Sequence, residues 1–225
     1  MTLLPGAQLL RRVLCLTSKS MHRRALLLSS LAAPALAQGL SARDRADIAR
    51  VEGYLNGLRS LKARFLQLAA NGGTTRGTVW LQRPGRMRFE YDPPTPLLLV
   101  AGHGLFTFYD SSLKQVSTVP LSRTPLGILL REETQLSGDV TVNGLSRYPG
   151  GLEISIVRTA SPSEGTLFLV FADNPMALRQ WRVIDAQRQE TRVTLSDIQL
   201  GGSFDSKLFE FVDPNTFQNP SGDGN

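Results

Sequence analysis

The stretch from Thr78 to Tyr91 constrains the fold more tightly than any other part of the chain, because it combines a turn signal with strict alternation. Pro84 fixes φ at the second position of a four-residue turn, and Gly85 tolerates the conformation that the third position needs. After the turn, charged and apolar residues alternate over six positions: Arg86, Met87, Arg88, Phe89, Glu90 and Tyr91. A period of two predicts a half-buried antiparallel strand, so the stretch is predicted to form a β-hairpin.

This hairpin has two interpretations at the level of sequence. It can simply cover a hydrophobic core, which is the usual role of an amphipathic hairpin. Alternatively, its aromatic side chains and the nearby Arg83 can form one wall of a ligand site. The incoming strand leaves the choice open, because Trp80 falls on one face while Val79 and Leu81 fall on the other.

Short apolar runs separated by turn residues continue along the rest of the chain. The predicted strands are residues 97–101, 105–109, 113–119, 140–142, 152–158, 166–172, 177–184, 190–200 and 207–212. Many short strands accompanied by few helices predict a mainly β (α+β) fold, either a strongly curved antiparallel sheet or an incomplete β-barrel.

Two helices are predicted beside these strands. Residues 41–70 begin with a good N-cap residue, Ser41, although the part beyond Leu61 could equally be the first strand. Residues 124–131 begin with threonine and proline, which is typical of a short helix. The first helix carries an apolar stripe at steps of three and four residues: Ile48, Val51, Leu55, Leu58 and Leu61.

The first 37 residues have the pattern of a signal peptide. Arg23-Arg24 precedes an apolar run, and Ala35-Leu36-Ala37 matches a small-x-small cleavage site, so Gln38 becomes the mature N-terminus. Met21 is a plausible true start, and the sequence leaves open whether export uses the Sec or the twin-arginine route. We expect a single domain over residues 38–214, followed by a disordered tail over residues 215–225.

Removal of that segment changes the charge of the chain. It takes away five of the 25 Lys and Arg residues and none of the 19 Asp and Glu residues, so the mature chain is nearly neutral. The basic character therefore gives no indication of nucleic-acid binding. The single cysteine, Cys15, is lost too, so the mature domain must be stabilised by its core and not by disulfides.

The residues that enzymes usually need are missing from the mature sequence. His103 is its only histidine, and two flanking glycines place it in a turn that we expect to be exposed. The sequence contains no paired histidines at metal-ligand spacing, no nucleophile elbow and no phosphate-binding loop. We therefore expect neither an enzyme nor a bound cofactor or metal, with a carboxylate-only enzyme using Asp185, Glu190 or Asp197 as a distant alternative.

Apolar residues are more plentiful than one sheet face requires. Residues 97–101 and 166–172 are apolar on both faces of their predicted strands. Such strands must be covered on both sides or must line an internal cavity. The sequence alone does not separate a filled core from a cavity, but the two predicted helices could close a half-barrel of this kind.

Several segments, taken in their order along the chain, resemble the periplasmic outer-membrane lipoprotein carrier (LolA) family. They are Phe65–Gln67, Gly77–Tyr91 with Pro94, Val100, Gly102–Asp110, Leu113–Val116, Thr124-Pro125, Trp181–Gln187 with Thr191, and Leu208–Phe211. The resemblance implies an incomplete antiparallel barrel in which the long N-terminal helix and the short central helix form a lid over an apolar cavity.

The resemblance also implies a function and partners. A protein of this kind accepts acylated lipoproteins that an ABC transporter releases from the inner membrane, and it carries them through the periplasm to an acceptor at the outer membrane. We expect a monomer that binds no nucleic acid. The alternative is a periplasmic regulatory protein of the same fold that senses lipid or peptide.

Some of the expected site residues follow from the same resemblance, and others follow from the sequence pattern. Arg83 falls on the arginine that in the family ties the barrel to its lid helices. Leu126, Ile128, Leu129 and Leu130 fall on the short lid helix. We expect acyl chains to contact three groups of residues: Leu126, Leu129 and Leu130 of that helix; Trp80, for its large aromatic surface near Arg83; and Met87, Phe89, Phe106 and Phe108, which recur on single faces of neighbouring predicted strands. Met87, Phe89 and Gly102-His103 depart from residues found in some members, which leaves cargo preference open.

Overall fold

A computed structural model describes residues 40–214 of the chain. The predicted signal peptide over residues 1–37 and the predicted tail over residues 215–225 lie outside the described residues.

The described residues form one antiparallel sheet of eleven strands, in the order β6-β5-β4-β3-β2-β1-β11-β10-β9-β8-β7. The strands are β1 (Ser60–Leu68), β2 (Thr74–Gln82), β3 (Arg86–Tyr91), β4 (Leu97–Gly102), β5 (Leu105–Asp110), β6 (Gln115–Pro120), β7 (Val140–Tyr148), β8 (Gly151–Arg158), β9 (Gly165–Ala172), β10 (Ala177–Asp185) and β11 (Glu190–Leu200). The sheet is open, with β6 and β7 at its two edges, and only the β1–β11 pairing joins strands distant in sequence. The mainly β prediction is confirmed.

Helix α1 (Ala42–Gly57) begins where the sequence predicts. The backbone N–H of Asp44 donates to Ser41 Oγ at 3.0 Å, and the backbone N–H of Ser41 donates to Asp44 Oδ2 at 3.1 Å, which forms a capping box. The helix buries its apolar stripe, with Val51 and Leu55 almost fully inaccessible.

The predicted helix over residues 41–70 is too long, because α1 ends at Gly57 and β1 begins at Ser60. Gly57, a weak helix former, is the last helical residue, and Leu58 follows it in an extended conformation. From Leu61 onward, burial alternates with a period of two and the strand pairs with β2 and β11 on its two sides. Tertiary pairing therefore decides the region that the sequence left ambiguous.

The hairpin at Thr78–Tyr91 is confirmed as β2 and β3. Val79 pairs with Phe89 and Leu81 pairs with Met87, and all four side chains are buried on one face of the sheet. We call this the inner face, and the opposite one the outer face. Gly85, in the turn, has φ of 71°, a conformation that glycine adopts without steric cost.

The central and C-terminal segments differ from the predictions in detail. The helix predicted over residues 124–131 is shorter, α2 (Leu126–Leu129). The strand predicted over residues 207–212 is wrong, because a 3₁₀ helix occupies Ser206–Phe209. Asp205 accepts a hydrogen bond from the Lys207 N–H at 2.9 Å, which favours a helical turn at that point.

The core lies on the inner face and joins both halves of the sheet. The ring of Phe89 meets Phe65 edge-on at 5.2 Å and Trp181 at 6.1 Å between centroids. Tyr54 of α1 meets Phe171 of β9 in the same geometry at 5.4 Å. Strands from both ends of the chain therefore share one aromatic core, against which α1 packs.

Candidate functional site

A cavity of about 720 Å³ opens on the inner face. This volume lies within the range of about 300–1,000 Å³ that is typical of ligand pockets. Its walls come mainly from β1, β3–β6, β10, β11 and the start of α2 with the residues leading into it. The lining comprises Gln67, Phe89, Tyr91, Leu97, Leu99, Phe106, Phe108, Val119, Pro120, Arg123, Thr124, Pro125, Leu126, Glu164, Trp181, Val183, Asp185, Ala186, Gln187, Gln189, Thr191 and Val193.

The floor of the cavity is apolar and its rim is polar. Buried side chains form the floor, among them Phe89, Trp181 and Val193. Arg123 and Gln187, at the rim, are exposed. A ligand with an apolar part and a polar end matches this arrangement, because each part meets surroundings of its own kind.

One polar pair inside the cavity is joined by a hydrogen bond. The Tyr91 hydroxyl donates to Gln67 Oε1 at 2.8 Å. Burial raises the pKa of Tyr91 to about 12, although the hydrogen bond to Gln67 acts in the opposite direction. The phenol therefore stays neutral and the pair adds no charge to the apolar wall.

Four of the residues predicted from sequence to contact acyl chains line the cavity: Phe89, Phe106, Phe108 and Leu126. The rings of Phe106 and Phe108 lie 4.6 Å apart, on adjacent inward positions of β5. Phe108 is 39% exposed, so the wall it forms is accessible from the cavity mouth.

The other four lie elsewhere. Met87, Leu129 and Leu130 are buried in the core and do not line the cavity. Trp80 lies on the outer face, because side chains alternate along β2 and its neighbours point inward. Its ring lies 5.7 Å from Lys62 Nζ. Trp80 is therefore separated from the cavity by the sheet itself.

Sequence reasoning missed the wall contributed by β10 and β11. Trp181 and Val183 alternate along β10, and Thr191 and Val193 do so along β11. The alternation is visible in the sequence, but their approach to Phe89 depends on the long-range pairing of β1 with β11.

Arg83, directly after β2, links the hairpin to the ends of both helices. Its Nη1 donates to the carbonyl of Leu55 in the last turn of α1. Its Nε donates to the carbonyl of Arg131 at 2.5 Å, and its Nη2 to Thr134 Oγ1 at 2.7 Å. The Gly85 N–H adds a bond to the carbonyl of Leu130, at 2.8 Å.

The environment of Arg83 is unusual for a charged side chain. The residue is only 5% exposed, and within residues 40–214 no carboxylate forms an ion pair with it. Burial, with a smaller contribution from Arg59, lowers the pKa of the guanidinium. Its charge is balanced by carbonyl oxygens, including one at the negative end of the α1 dipole.

The segment after α2 is also tied directly to α1. Asn56 exchanges two hydrogen bonds with the backbone of Thr134, at 2.8 and 3.1 Å. Glu52 accepts one from the Leu136 N–H at 2.6 Å. The name lid is used below for α1, α2 and residues 130–136 together, after the role that the family resemblance implies for the two helices. Arg83 and Gly85 both form hydrogen bonds from the hairpin turn to these segments.

The residues considered for catalysis lie in a turn (His103), at the end of β10 (Asp185) and in β11 (Glu190 and Asp197). His103 is exposed in the turn between β4 and β5, as predicted. Glu190 forms ion pairs with Arg182 and Arg192, while Asp185 lies at the cavity rim. Over residues 40–214, no group of three or more His, Cys, Asp or Glu side chains could hold a metal ion. No helix in the same part of the chain has the length and apolar character to cross a membrane.

A family model and curated relatives carry the same description. Residues 56–212 match the family model described as "Outer membrane lipoprotein carrier protein LolA". An outer-membrane lipoprotein carrier protein from Pseudomonas paraeruginosa is 30% identical over 203 residues, which cover 84% of this chain and 95% of the relative. A protein of the same description from Azotobacter vinelandii is also 30% identical, over 85% of this chain and 94% of its own.

A crystal structure of a LolA superfamily protein from Nitrosomonas europaea covers 73% of this chain and 97% of its own length. It is 10% identical to this chain, with a TM-score of 0.41.

Proposed function

This chain belongs to the outer-membrane lipoprotein carrier (LolA) family, and from that premise we propose that it carries lipoproteins through the periplasm. It binds the acyl chains of lipoproteins that an ABC transporter releases from the inner membrane, and it delivers them to an acceptor at the outer membrane. It acts as a monomer after removal of residues 1–37. The observation that carries this proposal is the cavity with an apolar floor and a polar rim.

Energetics explain why such a carrier is needed. An anchor with three acyl chains holds roughly 45 methylenes, and each costs about 0.8 kcal/mol to expose to water. The sum is tens of kcal/mol, so spontaneous release into the periplasm is negligibly slow. A carrier must offer apolar walls, and it must also surrender the chains to the next binding site.

Acyl chains enter along the wall that the inner faces of β5 and β10 provide. Phe106 and Phe108 form one side, and Leu126 contributes from the lid. Trp181 lies on the floor and is almost fully buried, so a chain that reaches it has left water. The polar rim remains in contact with the polar head of the anchor and with the polypeptide that follows it.

Arg83 acts as a latch in this proposal. Its three hydrogen bonds stabilise the lid in the position seen here, where Ile128, Leu129 and Leu130 are fully buried. Deep insertion of three acyl chains displaces the lid and breaks these bonds. Their re-formation after the cargo leaves favours onward transfer, because the closed lid and the bound chains compete for the same apolar surface.

A release assay tests the proposed function. Spheroplasts are incubated with the purified mature protein, and lipoprotein released into the supernatant is measured. The variant Phe108→Asp places a carboxylate in the cavity wall at a half-exposed position, so we expect a folded protein that releases at least tenfold less lipoprotein. The matched control is Leu113→Asp, at a 69% exposed turn position outside the cavity, which we expect to match the unmodified protein.

The proposal would be rejected if the unmodified protein released no lipoprotein. It would also be rejected if both variants were folded, as judged by circular dichroism, and released equal amounts.

A further inference from the structure

The two edges of the sheet differ in how they are protected. Natural proteins blunt exposed edges with charged residues, bulges or proline, because unpaired backbone groups invite another strand. Edge strand β7 carries a bulge between Val142 and Gly144, and its Arg147 forms ion pairs with Asp44 and Asp47 of α1 at 2.6 Å each. That edge is both irregular and tied to the helix.

Edge strand β6 has little such protection. Its six residues, Gln115–Pro120, include no charged side chain, and its pairing with β5 runs without a register shift. All of them except Val116 are exposed, and valine and threonine give it a high strand propensity. Only Pro120, at its last position, interrupts the row of donors. Among residues 40–214, the sheet pairs β6 with β5 alone.

The hydrogen-bond pattern shows which backbone groups of β6 are available. The Leu121 N–H donates to the carbonyl of Gly104 at 2.8 Å, which fixes the alternation of the β5–β6 ladder. In an antiparallel pair, every second residue bonds to the partner strand. Counting back from Leu121 in steps of two gives the residues that bond to β5. The backbone N–H and C=O groups of the residues between them, Val116 and Thr118, therefore point away from β5. Each of them offers one N–H and one C=O to a further strand.

The same strand forms part of the cavity rim. Val119 and Pro120 line the cavity, and Val119 lies directly opposite Phe106 in the ladder. Strand β6 therefore borders both the cavity and the unpaired edge of the sheet, so a polypeptide that leaves the cavity on this side passes the outward backbone groups of Val116 and Thr118.

We propose that β6 binds the extended polypeptide that follows the acylated residue of the cargo, by adding it to the sheet as a twelfth strand. This inference rests on the proposed function. Strand addition uses backbone hydrogen bonds, which every polypeptide offers whatever its side chains. Such a site suits a carrier whose cargoes share an acylated end and differ in sequence.

The test compares two synthetic probes that carry the same triacylated cysteine. One ends in an amide directly after the cysteine, and the other continues for eight uncharged residues. The longer probe can form up to four additional hydrogen bonds with the backbone of Val116 and Thr118, and the entropy lost when the peptide becomes ordered offsets part of this gain. We therefore expect the longer probe to bind the mature protein about tenfold more tightly than the short one. Affinities are measured by competition against a fluorescent lipopeptide.

Two variants at one position isolate the backbone contribution. Thr118→Pro removes an outward N–H, and it also removes the 3.1 Å hydroxyl contact between Thr118 and Thr107. Thr118→Val removes only the hydroxyl. We expect the tenfold preference for the longer probe to disappear in Thr118→Pro and to persist in Thr118→Val. If Thr118→Pro does not fold, the longer probe with N-methylated amides is used on the unmodified protein, and it should bind no better than the short one.

The outcomes separate this inference from the proposed function. If neither probe binds, the carrier function itself is wrong. If both bind equally, or if Thr118→Pro and the N-methylated probe keep the preference, strand addition at β6 is wrong while acyl binding stands. If the free protein forms dimers and Thr118→Pro abolishes them, the edge binds a second copy of the chain, and the proposal is overturned.

Discussion

Replacing Arg83 with leucine tests the latch, because the change removes three hydrogen bonds that join the hairpin turn to the lid. Leucine fills much of the space of the arginine carbon chain, so the core loses little packing. The bonds lost go to Leu55, Arg131 and Thr134, which all belong to the lid. The variant should therefore affect the lid far more than the sheet.

The magnitude follows from the burial of the guanidinium. A hydrogen bond from a charged group contributes about 1.5–3 kcal/mol. Three such bonds do not add in full, because desolvation of the nearly buried cation costs part of their sum. We expect a net loss of about 1.5–3 kcal/mol from the closed state, which makes opening roughly ten- to a hundredfold more favourable.

Hydrogen exchange measures this opening directly. Backbone amides of residues 126–136 should exchange about ten- to a hundredfold faster in Arg83→Leu, while those of β8 and β9 should be unchanged. In a transfer assay, the variant should accept lipoprotein released from inner membranes and pass little of it to outer membranes, because release gains less from closing the lid.

Arg88→Leu is the matched control, since Arg88 lies in the same hairpin but donates to the carbonyl of Leu208 at 3.2 Å, away from the lid. It should behave like the unmodified protein in both assays. Normal onward transfer by a well-folded Arg83→Leu, or unchanged exchange over residues 126–136, would refute the latch.

Three further predictions concern the cavity wall, export and pH. A photo-crosslinker at Phe108 should capture lipoprotein and one at Glu90, on the outer face, should not; equal labelling would contradict the assigned wall. Mass spectrometry of the exported protein should show cleavage after Ala37, and a cytoplasmic or uncleaved form would count against export. Hydrogen bonds from Arg147 and Ser41 lower the pKa of Asp44 from 3.8 to about 2, so stability from this carboxylate is present above pH 3.8 and is lost as pH falls through about 2. The urea concentration at the midpoint of unfolding should fall over that pH window, and it should fall less steeply in Arg147→Met. Parallel curves for the two proteins would show that the Asp44 carboxylate does not contribute to stability.

Local signals were sufficient for most of the secondary structure. The hairpin was predictable because alternation and a turn dipeptide coincide within a few residues. The end of α1 was not, because Leu61 and Phe65 fit an extension of the helical stripe almost as well as a strand. Pairing with β11, more than a hundred residues away, resolves that ambiguity.

The site could be predicted only in part, for the same reason. Phe106 and Phe108 share a face within one strand, so alternation was enough to place them together. Trp181 reaches the cavity through long-range pairing, which local patterns do not reveal. Trp80 was assigned to the wall on account of its size, although the hairpin register already indicated the outer face, since Trp80 pairs with the outward-pointing Arg88.

The two tryptophans of the chain allow the central claim to be tested directly. Trp181 lies on the cavity floor and Trp80 on the outer face. The variant Trp80→Phe leaves Trp181 as the single tryptophan, and Trp181→Phe leaves Trp80. A triacylated lipopeptide with brominated acyl chains quenches the fluorescence of a tryptophan that it contacts. We predict strong, saturable quenching of Trp181 in Trp80→Phe and little quenching of Trp80 in Trp181→Phe. Saturable binding that quenches Trp80 and leaves Trp181 unchanged would contradict the central claim.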